Sequence, residues 1–127
     1  MFKIIGTNIR MNRGSSGSFS FGATTPEGEP YTFSAGDVVR LNVTKAGKEN
    51  MVVMSVDTLV EESTQEVTIS ITSNDSKIGT VINKPTEYWY DIELNPDTSA
   101  AQMLLGYDDE DGAKIFTLYP ESIKEGI

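Results

Sequence analysis

The chain contains no cysteine and no histidine. The first absence excludes disulfides and thiol catalysis. The second excludes a histidine general base, and the two together exclude most zinc sites. A chain without cysteine carries no record of its redox compartment. Positive charge is scarce as well. Ten Lys and Arg stand against nineteen Asp and Glu, a net charge of −9, and the arginines are only Arg10, Arg13 and Arg40. Such a balance argues against nucleic acid, whose phosphates need a basic surface, and against an anionic membrane. It fits a basic protein partner or a cation, or simply a solvated acidic surface.

Long apolar runs are missing too. The longest, Met51 to Met54, has four residues, far short of the roughly 20 that cross a bilayer. The apolar start Met1-Phe2-Lys3-Ile4-Ile5 breaks at Gly6-Thr7-Asn8, too short for a secretory signal with its apolar stretch of about 7–15 residues. The expectation is a mature chain starting near Met1 and made in a cytosol. Gly6, Gly14, Gly17 and Gly22 form neither a dinucleotide nor a phosphate-loop pattern, so no cofactor is expected.

What is present is a globular composition. The 127 residues are 38% apolar, with Trp89, five Tyr and five Phe, enough for one core and one domain spanning 1–127. No repeat or low-complexity linker divides it. Short alternation recurs instead. Phe19, Phe21 and Ala23 alternate with Ser18, Ser20 and Gly22. Val39, Leu41 and Val43 alternate with Arg40, Asn42 and Thr44, and Val67, Ile69 and Ile71 with Thr68, Ser70 and Thr72. Tyr88, Tyr90, Ile92 and Leu94 alternate with Trp89, Asp91 and Glu93, and a last run covers Ile115 to Tyr119. A period of two marks half-buried strands. Met51 to Val60 fits a strand or, loosely, a helix, and its β-branched content favours the strand.

The breaks are turn-like: Pro26-Glu27-Gly28-Glu29-Pro30, Lys45-Ala46-Gly47-Lys48 and Asp108-Asp109-Glu110-Asp111-Gly112. Ser99-Ala100-Ala101-Gln102 reads as a capping box for a short helix stopped at Gly106. A strand there, paired across the acidic turn with 114–119, is the preferred expectation. The predicted fold class is all-β, an antiparallel β-sandwich or, alternatively, a partly open barrel, with at most one short helix.

Four features invite a functional interpretation. The acidic turn is the densest carboxylate cluster, but it lacks the spacing of a calcium loop and reads as a solvated tip. Asp91 and Glu93 are a candidate carboxylate pair for glycoside hydrolysis, or ordinary outward positions. Trp89 points away from the face of Tyr88, Tyr90 and Ile92, which leaves an interface, a second buried layer or packing against a loop open. Arg10 and Arg13, ahead of Ser15-Ser16-Gly17-Ser18, read as a basic, flexible docking loop or a merely solvated one. The candidate interface residues are therefore Arg10, Arg13 and Trp89, with no catalytic or metal residue assigned.

Read in order, Arg13-Gly14-x-x-Gly17-x-Phe19, Tyr31-Thr32-Phe33-x-Ala35-Gly36-Asp37-Val38-Val39, Ile69-x-Ile71-Thr72-Ser73-Asn74-Asp75-Ser76-Lys77, Tyr88-Trp89-Tyr90-Asp91-Ile92-Glu93-Leu94-Asn95, Gly106-Tyr107-Asp108-x-x-Asp111-Gly112 and Lys114 to Glu121 resemble small tail or baseplate-associated proteins of phages and prophages of Gram-positive bacteria. The order is similar to the N-terminal β-sandwich domain of their upper baseplate proteins. The resemblance implies a stand-alone form of that domain or a baseplate accessory. It would be a non-enzymatic structural protein of the virion tail, made in the host cytoplasm. Its contacts would be with other tail or baseplate proteins and with copies of itself, not with nucleic acid or membrane. The alternative is a carbohydrate-binding module using Trp89 and exposed tyrosines.

Overall fold

The computed structural model describes residues 2–80 and 82–121. Nine strands run in chain order: β1 (Phe2–Ile5), β2 (Asn8–Asn12), β3 (Gly17–Phe21), β4 (Val38–Lys45), β5 (Lys48–Leu59), β6 (Val67–Ile71), β7 (Thr86–Leu94), β8 (Gln102–Leu105) and β9 (Lys114–Tyr119). No helix occurs among the described residues. Seven strands form one sheet in the order β1-β2-β9-β7-β4-β5, with β8 also on β7, and β3 pairs β6 in a second, two-stranded sheet.

The period-two runs explain the two layers. Each buries alternate residues. Ile9, Met11, Val39, Leu41, Val43, Ile92, Phe116 and Leu118 line the inner face of the large sheet, each at most 1% exposed. They meet Val67, Ile69 and Ile71 of β6 in one cluster, against which Phe19 and Phe21 of β3 pack. Phe33 fills a loop position in the same cluster and is completely buried. The result is an all-β sandwich with no closed barrel. Met51 to Leu59 is strand, as its β-branched content indicated, and Lys45 pairs Lys48 across a two-residue turn with Gly47 at φ +73°.

Three expectations change. The sandwich is not antiparallel throughout, because β2 and β9 pair in parallel, Ile9 opposite Phe116 and Met11 opposite Leu118. The expected strand before the acidic turn exists as β8, but it does not pair across that turn with β9. Both strands run antiparallel to β7 along the same edge, β8 beside Ile92–Leu94 and β9 beside Thr86–Tyr90. They are two pieces of one partner strand, and 106–113 is an excursion between them. β7 has no other neighbour on that side, so pairing both pieces with it satisfies backbone groups that a separate hairpin would leave open. Within the excursion the Asp-Gly signal does close a local turn: the Asp108 and Gly112 backbones exchange hydrogen bonds of 3.1 and 2.9 Å, with Gly112 at φ +71°.

The segment read as a flexible loop from Arg10 to Ser18 is also different. Arg10, Met11 and Asn12 belong to β2, and Gly17 and Ser18 to β3. The short link between them is tied down. Gly14 N–H donates to Ser76 Oγ at 2.9 Å, and that hydroxyl donates to Ser15 O at 2.7 Å.

Candidate functional site

The outer face of the large sheet carries the residues that alternate with the core. Register sets them in cross-strand rows. Asp57, Arg40 and Glu93 form one row, Ser55, Asn42 and Asp91 the next, and Val52, Thr44 and Trp89 the third, on β5, β4 and β7 respectively. Met103 of β8 stands opposite Glu93.

The excursion completes the face. The chain leaves β8 at Gly106, where a Cβ would sit 3.3 Å from Asp91 Cβ and 3.1 Å from the Met103 sulfur. A glycine lets the backbone pass that close. The next residue, Tyr107, lies against Trp89 with ring centroids 5.8 Å apart and planes at 30°. Trp89 is thereby half-buried, whereas Tyr107 stays 67% exposed and Met103 60%. A groove of about 490 Å³ runs between Thr44, Trp89, Tyr107 and Lys114. It adjoins a shallower depression of about 310 Å³ between Asn42, Asn50, Val52 and Glu93. Thr44, Asp91 and Met103 line both.

The polar groups form two networks. The Asn42 Nδ2 donates to Asp91 Oδ1 at 2.9 Å and to Glu93 Oε1 at 3.0 Å, so one neutral amide serves two carboxylates. Arg40 turns away from Glu93. Its Nε and Nη2 donate to the two oxygens of Asp57 at 2.6 and 3.0 Å, and its Nη1 donates to Asp97 at 3.0 Å. That bidentate pair holds the Asp57 carboxyl below its usual range, chiefly through the hydrogen bonds from Arg40.

In the excursion, Asp108 Oδ1 accepts the backbone N–H groups of Asp111 and Glu110, and Oδ2 accepts Lys114 Nζ at 2.8 Å. Those bonds, the Asp111 N–H first, lower the Asp108 pKa. Asp108 is thus the structural cap of its own turn. No group of three or more metal-ligating side chains occurs among the described residues.

The three residues singled out in the sequence do not converge. Trp89 lies in the groove. Arg10 is on the same outer face, opposite Lys3 on one side and Thr117 on the other, two strands and roughly 10 Å from β7. Arg13 is engaged internally. It donates to the carbonyls of Ile78 (3.0 Å), Gly79 (2.7 Å) and Lys77 (3.4 Å) and to Glu121 Oε1 (2.6 Å), with its side chain 10% exposed. Tyr107 and Met103 in the groove, and Asn42 in the adjoining depression, are residues that sequence reasoning did not single out. Asn42 was visible as an outward position of β4, but nothing in the sequence shows Tyr107 folding back over β7. Compared with known proteins, the chain matches no family model, no curated protein and no solved structure.

Proposed function

We propose that the protein is a non-enzymatic assembly module of a phage or prophage tail, acting in the baseplate region through protein–protein contacts. The observation that carries the contact-forming part is the apolar strip on the outer face. Val52, Met103 and Tyr107 are 52%, 60% and 67% exposed around a half-buried Trp89, on a sheet face that the core does not use. An exposed aromatic and methionine cluster at a groove is the composition of an interface centre rather than of a solvated surface. The tail setting rests on the ordered resemblance of the strands and turns.

The test is particle composition. Tails purified after induction of the lysogen that carries the gene should contain this chain at a fixed ratio to the other tail proteins, by quantitative mass spectrometry. Its absence from complete, infectious particles would refute the proposal. The stacked Trp89–Tyr107 pair is also a surface on which a sugar ring could lie. Titration with cell-wall oligosaccharide is therefore the control that separates a glycan-binding module from an assembly module.

A further inference from the structure

The outer face carries a row of charges. Lys3, Arg10, Thr117 and Glu87 stand opposite one another on β1, β2, β9 and β7. Lys3 and Arg10 are thus like charges side by side, an unfavourable pairing for the isolated face. Arg13 and Arg40 are paired with carboxylates, whereas Lys3, Arg10 and Glu87 have no ion-pair partner among the described residues. The next row on this face lies two residues along the strands. Extending the parallel register of β2 and β9 by one residue sets Asn8 beside Ile115, so the row runs Ile5, Asn8, Ile115, Trp89 and Thr44. Ile5 at one end is 43% exposed. At the other end Thr44 and Trp89, with Tyr107, line the groove of about 490 Å³.

We infer that the outer face binds a second copy of this chain as a symmetric dimer, with the two-fold axis running along β9. That strand is the middle one of the five β1-β2-β9-β7-β4. An axis laid over it exchanges β2 with β7, and β1 with β4, when two outer faces stack. Each Arg10 then meets the second copy's Glu87. Each Ile5 lies over the second copy's Thr44 and enters the groove beside Trp89. One operation serves both rows, as a self-complementary interface requires. Sheets stacked with their strands roughly aligned are a common packing of twisted sheets. Chains of net charge −9 repel one another, so a face that meets its own copy needs cations of its own, and Lys3 and Arg10 supply them. This deepens the contact-forming part of the assembly proposal, on which it rests, by naming what docks and where.

The test is self-association of the isolated protein, followed by sedimentation from micromolar to millimolar concentration. The mass should rise from one chain to two and no further. Trp89 is the chain's single tryptophan, so its emission should move to shorter wavelength over the same range as Ile5 covers it. Arg10→Glu and Glu87→Arg each replace two attractive contacts of the dimer by two repulsive ones. Each should weaken dimerisation by about a hundredfold, a factor of about ten per contact. An equimolar mixture of the two variants should regain the parent's dimer, because every arginine at these positions then faces a glutamate of the other chain.

Neither side chain is buried, so the melting temperatures should stay near the parent's, and regained association on mixing cannot come from misfolded chains. A parent that stays monomeric at millimolar concentration, a dimer that Arg10→Glu leaves intact, a mixture that fails to associate, or a dimer whose formation leaves Trp89 emission unchanged would each overturn the inference. A monomeric chain found in purified tails would leave the assembly proposal standing without this contact. A dimeric chain absent from tails would refute the tail setting alone.

Discussion

Trp89 and Tyr107 stack at 5.8 Å although they sit on different segments, one in the middle of β7 and the other on the excursion that interrupts its partner strand. The contact holds the excursion onto the outer face. Tyr107→Ala should cost about 0.5–1.5 kcal/mol, the usual worth of an aromatic pair beyond burial. It should also shift Trp89 emission to longer wavelength by exposing the indole to water. Unchanged emission in the variant would show that the excursion does not lie on Trp89 in solution.

A second close approach is at Gly17. An alanine Cβ there would lie 2.2 Å from Cδ2 and 2.3 Å from Cγ of Phe2. The Phe2 ring in turn stacks on Phe19 at 6.3 Å, which ties β1 to the small sheet. Gly17→Ala should destabilise by about 1–3 kcal/mol, the range for overpacking. In a Phe2→Ala background the same substitution should cost much less. Urea denaturation of the four proteins measures the coupling, and equal costs in the two backgrounds would exclude the contact.

Arg13 holds the turn 77–79 and Glu121 with one planar fork. Lysine carries the charge but places its donors on one nitrogen and lacks the planar fork whose three separate nitrogens reach these acceptors. Arg13→Lys should therefore lower stability by about 1–3 kcal/mol, the cost of leaving partners unsatisfied. Thermal unfolding of the isolated protein is the check. A melting temperature equal to the parent's would mean that Arg13 is free for an external partner.

Tyr90 ties β7 to the first hairpin, its hydroxyl donating to Thr7 O. Burial pushes its pKa up to about 12. The folded state therefore keeps a proton that the unfolded chain releases near pH 10. The stabilisation from Tyr90 is complete below about pH 10 and is lost as pH rises through about 12. Stability measured across that window should fall more steeply in the parent than in Tyr90→Phe. Parallel slopes would contradict the burial of the phenol.

Much of the fold was readable because burial on one face of a strand leaves an alternation in the sequence. Val39-Leu41-Val43, Val67-Ile69-Ile71 and Tyr90-Ile92-Leu94 point inward as their spacing predicts. The same pattern was present in Asn8-Ile9-Arg10-Met11-Asn12, but the nearby Gly and Ser residues made the region look like a loop. What makes it a strand is parallel pairing with β9, more than 100 residues away in the sequence. No local signal encodes such a partner.

The site was less legible than the fold. Trp89, Asp91 and Glu93 were recognisable as outward residues of one strand, and Asp108–Gly112 as a turn. Their relation was not visible. The turn looked like the tip of a hairpin between β8 and β9, whereas both strands pair with β7 and the turn folds over its outer face. Arg13 looked like part of a mobile basic loop, and only the approach of the turn 77–79 supplies the carbonyls that fix it.

The sequence by itself determined the all-β character, the inward and outward faces of the main strands and the acidic surface. Each depends on local alternation or on composition, which no rearrangement of strands can alter. Tertiary structure alone decided that β8 and β9 share one edge of β7, that Tyr107 covers Trp89, and that Arg40 turns to Asp57 and Asp97 while the Asn42 amide serves Glu93. Those depend on strand order and on which long side chains come within reach, and residues far apart in the chain set both.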